Sequence, residues 1–405
     1  MTQPPLTGLK VLDVATLFAA PSAAAILSDF GAEVIKIEHP EKPDPARTHG
    51  ASRNGTPLWW TSLSRNKRHM TLDLSRPEGR EVFLDLVRDA DVVIENFRPG
   101  TLERWGLGYD VLSAANPGIV LTRVTGFGQF GPRSHEPGFG SIGEAMSGFV
   151  FASGWPDRPP VLPPLALADH VSGMAAVIAI MMAVHERHSS GRGQVIDLAI
   201  IEPLLSMLAG QVTLYDQTGT ISERLGNRNA SNAPRGIYQT SDGDWIAMAA
   251  SAHSTAERVM RLVGREDMVL EPWFRDGSER AKRGGEMDTA IAQWIGARTT
   301  DDVIALFQEA QAAIGVVNDM AKVMQDEQYA ALGTITSVPD EALGEVRMPN
   351  VLFRLSRTPG AIRHTGRPHG ADTEAILNEI GISAEQQRKL VEHGVIAPPT
   401  RTTTA

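Results

Sequence analysis

The first 125 residues alternate between strand and helix signals, and that alternation is what most limits the folds open to this chain. Lys10–Val14 is a short apolar run. Pro21 suits the first turn of a following helix, where its missing N–H costs nothing. That helix is expected to reach about Phe30 and to stop at Gly31. Glu33–Glu38 reads as the next strand. Pro77-Glu78-Gly79 opens a helix to about Arg88, Asp91–Glu95 follows as a strand, and Gly118–Val124 is another. Strands separated by helices imply right-handed βαβ units and a mainly parallel sheet. The unbroken apolar triplets at 92–94 and 119–121 fit strands covered on both faces. The expected class is α/β, with a Rossmann-like large domain.

Residues 156–168, PDRPPVLPPLALA, contain five prolines and should be extended. Met174, Val177, Ile178 and Met181 then recur at helical spacing. The apolar stretch 173–184 is stopped by His185-Glu186-Arg187-His188, too short for a membrane span, and reads as a buried helix. Gly193–Ile200 suggests one more strand with a helix after it. From about residue 226 the pattern changes. Gly236–Gln239 and Trp245–Ala249 flank Ser-Asp-Gly-Asp, a hairpin signal, and helices follow near 254–264, 286–297 and 301–313. The expected division is a large domain, 1–225 completed by 326–405, and a smaller α+β domain, 226–325. Helices are expected near 372–381 and 384–393.

Composition narrows the chemistry. The 405 residues include no cysteine, which removes thiolate nucleophiles, cysteine metal sites and disulfides, and fits a cytoplasmic protein. Lys plus Arg is 38 and Asp plus Glu is 48, so the net charge is 38 − 48 = −10, against a nucleic-acid partner. MTQPPLTGLK carries no secretory pattern and nothing suggests a membrane partner.

Several motifs need weighing. Gly126-Phe127-Gly128-Gln129-Phe130-Gly131 is a literal G-x-G-x-x-G after a strand, yet Pro132, Pro137 and Gly138 follow, so no dinucleotide-binding helix opens there. The glycines still imply a tight turn at the end of a strand. His185 and His188 lack the i, i+4 spacing of a zinc motif, and Asn229-Ala230-Ser231 reads as a polar loop. Basic residues cluster at Arg65-Asn66-Lys67-Arg68 and at Asn96-Phe97-Arg98 with Arg104, near strand–helix junctions where open α/β sheets bind ligands. Solvated surface charge is the plain alternative. Phe97 between Asn96 and Arg98 offers an aromatic surface that suits an adenine-bearing ligand. Asp169 directly precedes the long apolar helix; it reads either as an N-cap or as an ionised carboxylate available as a nucleophile.

Taken together, the segments resemble the family III CoA-transferases, the group that includes formyl-CoA transferase and crotonobetainyl-CoA:carnitine CoA-transferase. The resemblance rests on GLKVLDVATLFAAPSAAAILSDFGAEVIKIEHP (8–40), Asp44-Pro45-x-Arg47, NKRHMTLDL (66–74), ADVVIENFRPGTLERWGLGYD (90–110), VTGFGQFGP (124–132), EAMSG (144–148), LADHVSGM (167–174) and GRGQVIDLAI (191–200). It implies that Asp169 is the nucleophile and that Leu17, Phe18, His39, Leu72, Asn96, Phe97, Arg98, Arg104 and Phe139 contact CoA. It also implies an interlocked homodimer, coenzyme A as substrate rather than tightly bound cofactor, and no metal. The partners would be an acyl-CoA and a carboxylic acid, joined by way of an aspartyl anhydride and an aspartyl-CoA thioester.

The chain departs from the family pattern in places. Glycine stands at Gly140 where an acidic residue is common, AASAHST (249–255) has no glycine run, and Asp372 replaces a histidine. Two rivals follow: an α-methylacyl-CoA racemase-like enzyme and a catalytically silent CoA-binding paralogue. The racemase needs a histidine where Phe139 stands, and a phenyl ring moves no proton. His135, in the same turn, would be the substitute base.

Overall fold

The structure, a computed structural model, describes residues 3–398, and the chain folds as two compact units. The first comprises residues up to Phe149, Leu162–Thr213 and Ala330 onward; the second comprises Val150–Val161 and Leu214–Tyr329.

The first unit is built on six strands: β1 (Lys10–Asp13), β2 (Glu33–Glu38), β3 (Arg68–Thr71), β4 (Val92–Glu95), β5 (Val120–Thr125) and β6 (Val195–Ala199). They pair in the order β3-β2-β1-β4-β5-β6, every pair parallel. This is the doubly wound order, in which the winding reverses between β1 and β4. Val92, Val93, Ile94, Val120 and Leu121 are all fully buried, as the apolar triplets foretold. Helix α1 (Ala19–Asp29) follows β1 and α2 (Pro77–Val87) precedes β4, with proline inside the first turn of each.

Two short-range expectations change. Arg65-Asn66-Lys67-Arg68 is the first expected basic cluster, and its last residue opens strand β3. Its His69, Met70 and Thr71 are fully buried, and the charges beside it are paired: Arg65 with Asp29 at 2.6 Å, Lys67 with Asp13 at 2.8 Å, Arg68 with Glu33 at 2.9 Å. That cluster is structural.

The apolar helix is also longer than expected. After α3 (Gly140–Met146), α4 runs from Leu167 to Ser190, 24 residues, long and apolar enough by length and composition to cross a membrane. Its buried face combines small residues with Val171, Ile180 and Val184. Gly173, Ala176 and Ala183, with Ile180, pack on the Ala19, Ala20, Ala23 and Ala24 face of α1. Of the expected stripe, Val177 and Met181 are half-buried and pack against this core, while Met174 and Ile178, with Met182 beside them, are exposed. Close helix approach selects small side chains where α4 meets α1, so only half of the bulky apolar stripe reaches the core.

The second unit has a three-stranded antiparallel sheet in the order Ile314–Val316, Trp245–Ala249, Arg235–Gln239. The 241–244 turn joins two of these strands. Met287, Ile291 and Ile295, one face of the helix Gly284–Gly296, share its core with Phe274, Val303 and Phe307. Buried Arg280 caps three carbonyls, those of Ala233, Phe274 and Ser251.

Candidate active site

The point where the sheet reverses its winding leaves a crevice beyond the carboxyl ends of β1 and β4. The turn after β1 carries Thr16, Leu17 and Phe18; the turn after β4 carries Asn96, Phe97 and Arg98. They are tied together. Asn96 Oδ1 accepts the Thr16 N–H at 2.8 Å, and Asn96 Nδ2 donates to the Thr16 carbonyl at 2.7 Å. Leu17 sits at φ 63°, a left-handed conformation that a leucine adopts at a cost of about 1–2 kcal/mol. Its N–H donates to Asp44 Oδ1 at 3.0 Å, and Asp44 is fixed in turn by buried Lys36 at 2.9 Å.

A second buried pair supports the other turn. Glu95 Oε2 accepts the Phe97 N–H at 2.6 Å while Glu95 Oε1 accepts from Arg123 Nε at 2.9 Å. Burial pushes the Glu95 carboxyl up to about 7, against the opposing pull of Arg123.

The glycine motif has its own explanation. A Cβ on Gly126 would stand 2.6 Å from the Gly138 Cα, so the two loops pack backbone against backbone. Gly128 takes φ 81°, and the Gln129 N–H that follows donates to the Asp197 carboxylate at 3.0 and 3.1 Å. The motif closes one wall of the crevice, and α3 opens only at Gly140.

Asp169 does not cap its helix. The N-cap is Ala166, which makes Asp169 the third residue inside α4. Buried Glu144 on α3 takes part of the capping role: its Oε1 accepts the Ala168 N–H at 3.2 Å. The capping alternative is thereby corrected, and the Asp169 carboxylate remains available. Burial raises its pKa to about 6; His170 pulls down, Glu144 pushes up, and a hydrogen bond from the Gly140 N–H pulls down. A carboxylate with that pKa is still ionised over protonated by roughly ten to one at pH 7, and it is more basic than a solvated one.

The crevice is a cavity of about 610 Å³. Leu17, Phe18, Asn96, Phe97, Arg98, Phe139 and Asp169 line it together. His39, Leu72 and Arg104 do not. His39 Nδ1 accepts the N–H groups of Glu41 and Lys42, and its Nε2 lies 3.6 Å from Asp73. Leu72 is buried in the core, and Arg104 donates to Thr101 Oγ1 at 2.9 Å.

Sequence reasoning missed His49, which lines the cavity. Its ring meets Phe18 at 4.8 Å and Trp59 at 5.9 Å, and Trp59 meets His170 at 6.3 Å. A lone histidine in a loop gives no pattern that would have found it. Glu144 was visible only inside EAMSG, with nothing to show that it serves a helix 23 residues away.

The model of CoA-transferase family III matches residues 6–373. The succinyl-CoA–D-citramalate CoA-transferase of Chloroflexus aurantiacus is 40% identical, over 93% of this chain and 94% of its own length. The succinate–glutarate CoA-transferase of Agrobacterium fabrum is 31% identical, over 93% of this chain and 96% of its own. Among solved structures, a CaiB/BaiF family protein from Brucella suis superposes with a TM-score of 0.82 at 31% identity, covering 94% of this chain and all of that one.

Proposed function

Given that this chain belongs to CoA-transferase family III, and is an enzyme of that family, we propose that it moves CoA from an acyl-CoA to a carboxylic acid with Asp169 as the covalent acceptor. The observation that carries the reading is the Asp169 carboxylate on the wall of the cavity at the reversal of the sheet, relieved of capping and raised to about 6 by burial.

The chemistry runs through anions alone. The carboxylate attacks the donor thioester carbonyl; a C–O bond forms, the C–S bond breaks, and CoA leaves as thiolate. The thiolate attacks the aspartyl carbonyl of the resulting anhydride, releases the donor acid as carboxylate and leaves aspartyl-CoA. The acceptor carboxylate attacks that thioester, CoA thiolate departs again, and the thiolate attacks the acceptor's acyl carbon. The acceptor's CoA thioester forms and the Asp169 carboxylate is regenerated.

Phe97 and Arg98, with the Leu17–Phe18 turn, are the groups we assign to CoA in this cavity. We extend the same role to His39, Leu72 and Arg104 on the resemblance alone. The relatives' names support a succinyl donor and a dicarboxylic acceptor. The working form is proposed to be cytoplasmic, in keeping with the absence of cysteine, and a homodimer, the latter favoured by the exposed apolar row Met174, Ile178 and Met182.

Incubation of the protein with succinyl-CoA and then hydroxylamine should modify Asp169 alone, as read by peptide mass spectrometry. Asp169→Ala should lose transfer while keeping CoA affinity. Modification elsewhere, or turnover by the alanine variant, overturns the reading.

A further inference from the structure

We infer that Gly140 is a positioning residue for Asp169: the space left by its missing side chain fixes where the reactive carboxylate rests. The inference builds on Asp169 as the acceptor.

The geometry is specific. A Cβ built on Gly140 would lie 2.4 Å from Asp169 Oδ2, 2.9 Å from its Cγ and 3.3 Å from Oδ1. Those are its three nearest neighbours, and all belong to one carboxylate. Two other crowded glycines of this unit press on backbone instead, Gly79 on the Asp73 carbonyl at 2.0 Å and Gly193 on the Ile119 carbonyl at 1.8 Å. At those two sites the glycine lets two chain segments meet. At Gly140 it makes room for a side chain.

The backbone does not itself demand glycine here. Gly140 is not among the residues of positive φ, and it opens α3 after an extended Phe139. An L side chain could adopt the conformation; it could not share the space. The Gly140 N–H also faces this carboxylate and pulls its pKa down. One residue therefore supplies both that pull and the vacancy. With the backbone as it stands in this chain, a Cβ here would push the carboxylate off its present line into the cavity. A displacement of about 1 Å at a reacting group can cost about 100-fold in rate.

Two measurements test this. In the first, Gly140→Ala and the wild type are treated with succinyl-CoA and hydroxylamine, and the rate of Asp169 modification is followed alongside the CoA dissociation constant. The expected result is a rate at least about tenfold lower with CoA affinity within about twofold. An unchanged rate overturns the inference. The second is a melting cycle that survives poor folding or activity. Gly140→Ala should lower Tm by about 2–10 °C in the wild type. Most of that loss should vanish in the Asp169→Ala background, where the colliding group is gone. An equal loss in both backgrounds means the glycine serves packing and overturns the inference. Failure of the wild type to be modified at Asp169 would instead overturn the proposed function and leave the melting cycle to judge Gly140.

Discussion

Asn96 and Thr16 exchange two hydrogen bonds across the reversal of the sheet, joining the turn after β1 to the turn after β4. Asn96→Asp keeps the shape and replaces the donor with an acceptor facing the Thr16 carbonyl. One part-buried carbonyl loses its partner and gains a repulsive neighbour, a cost of about 1–3 kcal/mol. CoA affinity should fall by roughly 5- to 150-fold while the sheet stays folded. Calorimetric titration alongside circular dichroism checks it, and an unchanged dissociation constant would separate this bridge from binding.

The acid limb of activity should report Asp169. Its pKa is raised to about 6, and the carboxylate reacts ionised, so kcat/KM should fall as pH drops through about 6. Glu144 is one cause of the rise. Glu144→Gln keeps an acceptor for the Ala168 N–H and removes the negative charge. The limb should move to lower pH. A limb that stays in place would assign it to a different group.

Stability should carry the opposite signature. The folded-state pKa of Asp169 lies above its ordinary 3.8, so folding favours the protonated carboxyl. That contribution is complete below about pH 3.8 and lost as pH rises through about 6. Asp169→Asn is neutral at every pH. It should raise Tm at pH 8 by a few degrees and bring no gain near pH 4, in paired thermal scans.

Phe139 sets the limit on proton chemistry. It lines the cavity with Asp169, and no base stands in its place. Incubation with a 2-methylacyl-CoA in deuterium oxide should give no α-deuterium above solvent background. Incorporation at the rate of turnover would require a second base, and His135, exposed in the same turn, would be the first to replace.

The sheet was legible because strands buried on both faces write unbroken apolar runs, as at Val92–Ile94 and Ile119–Leu121. Strand β3 was not, because Arg68 and His69 are polar and their pairing with Glu379 and Glu38 lies far along the chain or on another strand. Asp169, Asn96, Phe97 and Arg98 could be singled out from local sequence, and the resemblance added roles to them. Their mutual placement could not be, since it depends on where β1 and β4 meet. The N-cap reading of Asp169 failed for a similar reason: the group that relieves it, Glu144, belongs to another helix.

The contact between α1 and α4 bears on how reactants come together. A Cβ on Gly173 would stand 2.1 Å from Ser22 Oγ and 2.8 Å from the Ala19 carbonyl. Ser22 lies four residues beyond Phe18, and Gly173 four beyond Asp169. The helix holding the carboxylate and the helix leading out of the Phe18 turn are therefore interlocked one turn from the cavity, with no slack for either to slide. The last few ångströms between thioester and carboxylate must then be travelled by the ligand and by the Asp169 side chain itself. For substrates that differ in length past the carbonyl, that contact fixes one wall against which their reach toward Asp169 is measured.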